Sequence, residues 1–177
     1  MIKKIELFWN IVYYGIYHFD VYFRKMIGYL NPFKIIDSIE TLRAFRSKNE
    51  INNMRSFRNQ IFNDKKTGIS ITRSSSIIGG FIVLFECGII NTFEGVSKLS
   101  LVEGIWKSKI NFIIYIILLV IPALVINNKL LFNNDKYLSY FDSFDKMENN
   151  NKNSYYLLSF ISVFIIISFF IFSFLLL

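Results

Sequence analysis

The sequence predicts an all-α fold: a polytopic membrane helical bundle with three or four transmembrane helices and a basic cytoplasmic helical segment. Three observations predict it. Apolar residues make up 53% of the 177 residues, at or above the upper end of the soluble range of about 45–50%. The mean hydropathy is +0.41. The apolar excess gathers in long runs, while nine of the 20 basic residues crowd into residues 31–75.

Residues 1–30 form the first element. At about 100° per residue, Phe8, Val12, Ile16, Phe19, Phe23, Met26 and Leu30 share a narrow face. Lys3, Glu6, Asn10, Tyr17, Asp20 and Arg24 fall elsewhere, which is the 3.6-residue period of an amphipathic helix. Two placements follow: an interfacial helix with its aromatic side in lipid, or a first transmembrane helix packed in the bundle. Asn31-Pro32 should end it, because the residue before proline is driven out of the α region. Lys3 and Lys4 resemble a secretory leader, but Asp20, Arg24 and Lys25 follow without a small-residue cleavage site. The N-terminus is therefore expected to be retained.

Residues 31–75 are polar and basic. Lys34, Arg43, Arg46, Lys48, Arg55, Arg58, Lys65, Lys66 and Arg73 face four acidic residues, a net charge of +5. Ile36, Ile39 and Leu42 mark one short amphipathic helix; Ile51, Met54, Phe57 and Ile61 mark another. "NDKKTG" at 63–68 reads as a turn.

Residues 76–177 form the transmembrane region. Spanning takes about 20 apolar residues. Three stretches qualify: 77–95, 110–127 and 155–177, the last without a charged residue. Pro122 removes a backbone bond within the second and should bend it. Ser159, Ser162 and Ser173 share one side of the third span, and Ser168 does not. Between the second and third spans, Leu138, Phe141, Phe144 and Met147 keep helical spacing, with Asp135, Asp142 and Asp145 among them. That helix could pair with the basic segment.

Basic loops stay on the cytoplasmic side. This places residues 31–75 in the cytoplasm, or in the matrix of an organelle, and the C-terminus on the opposite side. Attraction to anionic lipid fits the same charges. Nucleic-acid binding is not expected, because no recognised module accompanies them and Phe57 keeps the spacing of a core residue.

Glu86 is the intramembrane polar candidate. A charge at a helix centre in the bilayer costs about 2.5–3.5 kcal/mol on insertion scales. Tyr115, Ser162 and Ser168 are its possible partners at similar depth, as is a second Glu86 in an oligomer. Glu86 reads either as part of an ion path or oligomer contact, or as a satisfied interhelical hydrogen bond.

The single cysteine, Cys87, rules out an intramolecular disulfide, and the single histidine, His18, rules out a His-rich or Cys/His zinc site within one chain. No nucleophile elbow, P-loop or dinucleotide fingerprint occurs. An enzyme is not expected, nor are catalytic residues, a cofactor or a metal.

Heavy use of Ile, Asn, Lys, Phe and Tyr points to an AT-rich genome. The opening "LFWNIVYYGIYHFD", with "DKYLSYFDSFDKM" just before a C-terminal span, resembles small polytopic inner-membrane proteins of AT-rich bacteria such as Bacteroidetes. Some of these accompany anti-phage loci, including type VI-B CRISPR. The resemblance is one of layout and transfers no functional residue. It implies an oligomeric membrane effector or pore, working with copies of itself, partner membrane subunits or a cytosolic protein partner. The alternative is an accessory subunit of a larger membrane complex, such as an organelle-encoded respiratory-chain subunit.

Overall fold

The computed structural model describes residues 2–29, 61–98 and 101–176; these form helices joined by short turns, with no strand among them. In chain order the helices are α1 (Ile2–Tyr29), α2 (Ile69–Ser97), α3 (Leu101–Trp106), α4 (Lys109–Asn127), α5 (Lys136–Asp145) and α6 (Asn149–Ser173). A π-helical turn, Asn128–Phe132, and a 3₁₀ turn, Asn133–Asp135, link α4 to α5. The chain is an all-α helical bundle, and three stretches are long and apolar enough to cross a membrane: Ile69–Ser97, Lys109–Asp145 and Asn149–Ser173. These hold the first two expected spans and residues 155–173 of the third; residues 174–176 lie past the end of α6. Helix α1 is not among them.

Local chemistry sets the ends. Ser108 opens α4 by accepting from the Ile110 N–H at 3.3 Å, which satisfies one of the unpaired donors of a first turn. The helix continues through Pro122. Asn134 and Asp135 then adopt left-handed backbone, with φ of 58° and 51°. Asn and Asp tolerate this region better than other side-chain-bearing residues, so the chain can turn from α4 into α5. Lys98, with φ of 56°, closes α2 and returns its N–H to the Glu94 carbonyl at 2.8 Å.

Two compact units divide the chain: Met1–Gly15 with Ser76–Leu177, and Ile16–Ser75. In the first, residues 10–15 of α1 are buried on every side. Tyr13 meets Phe132, Tyr137 and Phe141, with ring centroids 5.4–5.9 Å apart. Tyr14 stacks on Tyr156 and meets Phe141 and Phe144 edge-on. Its hydroxyl donates to Asp145 Oδ1 at 2.6 Å. Burial, and then that hydrogen bond, push the Tyr14 phenol well above its usual range. Lys136 Nζ reaches Glu6 Oε2 at 3.0 Å, and the Tyr140 hydroxyl donates to Glu6 Oε1. Asp145, at the end of α5, thus pairs with α1.

Polar side chains fasten the same segment. Trp9 Nε1–H donates to Asn127 Oδ1 at 2.9 Å. Asn10 is fully buried and donates to the carbonyls of Glu6 (2.8 Å) and Leu130 (3.1 Å). The Leu130 carbonyl belongs to the π-turn, Asn128–Phe132, where the i→i+4 ladder of α4 is interrupted. Gly15 lies against α6; an ideal Cβ there would fall 2.3 Å from Ser159 Cβ. The Ser159 hydroxyl donates to the Val12 carbonyl at 3.0 Å.

These contacts divide the stripe expected to face lipid along α1. Val12 and Ile16 are buried, while Phe8, Phe19, Phe23 and Met26 are exposed; Leu30 lies outside the described residues. The central turns are protein-covered because Tyr13 and Tyr14, off the stripe, have aromatic partners of their own.

In the second unit, Asp20 forms an ion pair with Arg24 and lies 3.8 Å from Arg73. Arg24 sits over the Phe62 ring at 4.9 Å, and the Tyr17 hydroxyl donates to the Asn63 carbonyl at 2.8 Å. The expected turn at 63–68 is present. Asp64 Oδ1 accepts from the Lys66 N–H, Thr67 donates to its other oxygen, and the Gly68 N–H returns to the Asp64 carbonyl. A side chain at position 68 would meet that carbonyl at 2.4 Å. The Thr67 and Lys66 hydrogen bonds hold the Asp64 carboxyl below its usual range. Arg43, Arg46, Lys48, Arg55 and Arg58, and the helices expected around them, lie outside the described residues. Lys66 and Arg73 are exposed, and Lys65 is half-buried.

Candidate functional site

Glu86 stands within α2 as a half-buried side chain. Its Oε2 is shielded and finds no hydrogen-bond partner among the described residues. None of the three expected partners reaches that oxygen. The Tyr115 hydroxyl lies 3.9 Å from Cys87 Sγ instead. Ser162 donates to its own helix, to the Leu158 carbonyl at 2.7 Å, and Ser168 is half-exposed.

The polar groups that meet lie further along α2. Asn91 Nδ2 donates to the Ser173 hydroxyl at 3.2 Å, and that hydroxyl donates to the Phe170 carbonyl at 2.6 Å. Both side chains are buried. Glu94, 6% exposed, follows one turn later. Close approach makes this seam possible. A Cβ on Gly88 would sit 2.6 Å from the Phe169 ring, and one on Gly95 would sit 2.2 Å from the Leu176 carbonyl oxygen. Gly88, Asn91 and Gly95 thus repeat every three to four residues on α2, opposite Phe169, Ser173 and Leu176 at the same spacing. Small and hydrogen-bonding residues at such a contact are what helix association in lipid requires. Ser159, Ser162 and Ser173 are the buried residues of α6, so this side of the helix is its packing face.

Sequence reasoning missed Asn91 and Glu94 because they lie in the last turns of α2, where polarity reads as the end of a span. A signal was present: Glu94 is eight residues from Glu86, about 12 Å along the helix at 1.5 Å per residue. The Trp9–Asn127 and Asn10–Leu130 contacts left no signal, since each joins residues over a hundred positions apart.

The chemistry available is that of polar groups in an apolar wall: hydrogen bonding, proton holding and weak cation attraction. Among the described residues no three of His, Cys, Asp and Glu are placed to hold a metal ion. Comparisons with protein-family models, curated proteins and solved structures match nothing to this chain.

Proposed function

We propose that this is a non-enzymatic integral membrane protein that acts by assembly, as an oligomeric membrane effector or pore. One observation carries it: Glu86 presents a shielded carboxyl oxygen with no hydrogen-bond partner among the described residues, on a helix long and apolar enough to cross lipid. An unmatched polar group in hydrocarbon is costly, with no water there to compensate it. A second copy packing along the neighbouring exposed side chains Phe85, Ile89 and Phe93 would bring a partner or a column of water to it. Little of the spans is fully buried within the chain; in the apolar window of α6 the share is 11%. The layout resemblance to accessory membrane proteins of anti-phage loci supports a defence setting.

The test is ion flux from liposomes carrying the purified chain. A pore gives flux that falls several-fold with Glu86→Gln. Flux equal to that of empty liposomes removes the pore and leaves the accessory-subunit reading, in which a partner chain covers Glu86. The proposed sidedness puts residues 31–75 in the cytoplasm and the C-terminus opposite. A C-terminal reporter that is active only in the cytoplasm should stay silent; activity would reverse the orientation.

A further inference from the structure

The second half of α1 carries an apolar face that its own unit does not cover. Phe19 (65% exposed), Tyr22 (68%), Phe23, Met26 and Ile27 are all open. At about 100° per residue they share roughly 140° of arc. The Phe19 and Phe23 rings stack on one another, with centroids 6.0 Å apart. The other side of the helix is occupied: Tyr17 holds Asn63, Arg24 holds Asp20 and covers Phe62, and Asp20 reaches Arg73. The polar side is therefore spoken for by protein, and the aromatic side is left over.

Arg73, the partner of Asp20, lies on α2. It belongs to the polar opening of α2, "ISITRSSS", and the apolar run starts four residues later at Ile77. Four residues of helix rise about 6 Å. Asp20 pairs with Arg73, and Phe19 and Phe23 lie within a turn of Asp20. Interfacial helices bury their apolar face about 5–10 Å into the headgroup and acyl boundary. Lys25 is exposed beside the stripe, where a lipid phosphate would meet it.

We infer that residues 16–27 form an interfacial anchor, with Phe19, Tyr22, Phe23 and Met26 seated among the lipids of one leaflet. This inference stands apart from the assembly proposal, since a lone chain would show it too.

Spin labels test it in the full chain, reconstituted in phosphatidylcholine–phosphatidylglycerol vesicles. Single cysteines replace Phe19, Phe23 or Lys25 in a Cys87→Ser background. Collisions with oxygen should exceed those with a water-soluble nickel chelate by at least about threefold at positions 19 and 23, and the order should reverse at 25, as for a helix lying in the interface. Exposed sites tolerate the label, and two positions on the stripe guard against one local disturbance. Labels at 19 and 23 that favour the nickel chelate would place the face in water. Labels that neither reagent reaches would mean that protein covers it, from residues 30–60 or from a second copy. Either result overturns the inference.

Discussion

Gly15→Ala should destabilise the fold, although alanine is the better helix former. The added methyl would lie 2.3 Å from Ser159 Cβ and 2.2 Å from its hydroxyl oxygen, against an ordinary contact of 3.4 Å or more. Rotating Ser159 moves the hydroxyl but not Cβ, so α1 and α6 must part by about 1 Å. A gap of that size forfeits a quarter to a half of each dispersion contact. It also stretches the Ser159–Val12 hydrogen bond, 3.0 Å in the native packing, beyond bonding range; such a bond contributes about 0.5–1.5 kcal/mol. Overpacking typically costs about 1–3 kcal/mol in all, and the helix propensity of alanine returns about 1 kcal/mol. The net expectation is a loss of up to about 2 kcal/mol, read as a lower midpoint in reversible SDS unfolding followed by circular dichroism. Ser159→Gly in the same chain should restore most of it, because the nearest remaining atom of residue 159 would be its Cα at 3.9 Å. If Gly15→Ala is as stable as the native chain, or more so, α1 does not pack on α6 here.

The α2–α6 seam gives a paired prediction. Gly95→Ala should lower the same midpoint, since its Cβ meets the Leu176 backbone, whereas Gly80→Ala, with nothing within 4 Å, should be neutral or raise stability by about 0.5–1 kcal/mol. Tyr14→Phe removes the hydrogen bond to Asp145 and should cost about 1–3 kcal/mol at pH 7 in denaturant titration. The raised phenol pKa makes this contribution whole below about pH 10. It should shrink above that, as the unfolded chain ionises first, so the gap between variant and native chain narrows in alkali. Asp64 has the opposite sign. Its carboxyl lies below the ordinary value of 3.8, so its support of the 63–68 turn is present above that pH and fades as pH falls through the depressed value. Amide exchange at Lys66 and Gly68 should be slow at pH 7 and, corrected for intrinsic rate, lose protection in that acid window but not above it.

The spans were legible because a bilayer demands a property that composition carries directly: length of apolar run. Their helical ends were not. Helix α2 starts at Ile69, through a serine-rich polar stretch, and α6 starts at Asn149, because backbone hydrogen bonding continues where hydrophobicity stops. Between the first two spans, residues 101–106 are helical, a segment too short for periodicity to register. The helix before the last span was visible from Phe141 and Phe144, but its third buried residue is Tyr137 rather than Leu138. Glu86 stood out as a lone carboxylate in an apolar run. The surroundings of Glu86 did not, since Cys87 reaching Tyr115 and Asn91 reaching Ser173 depend on how three helices rotate against one another.

Self-association through the Glu86 region is tested most directly by the mass of the purified chain in a mild detergent, measured by light scattering with the detergent contribution subtracted. A defined multiple of 20.9 kDa is expected, shifting toward one copy with Glu86→Gln. A native chain that runs as a single copy at every concentration tried would contradict it.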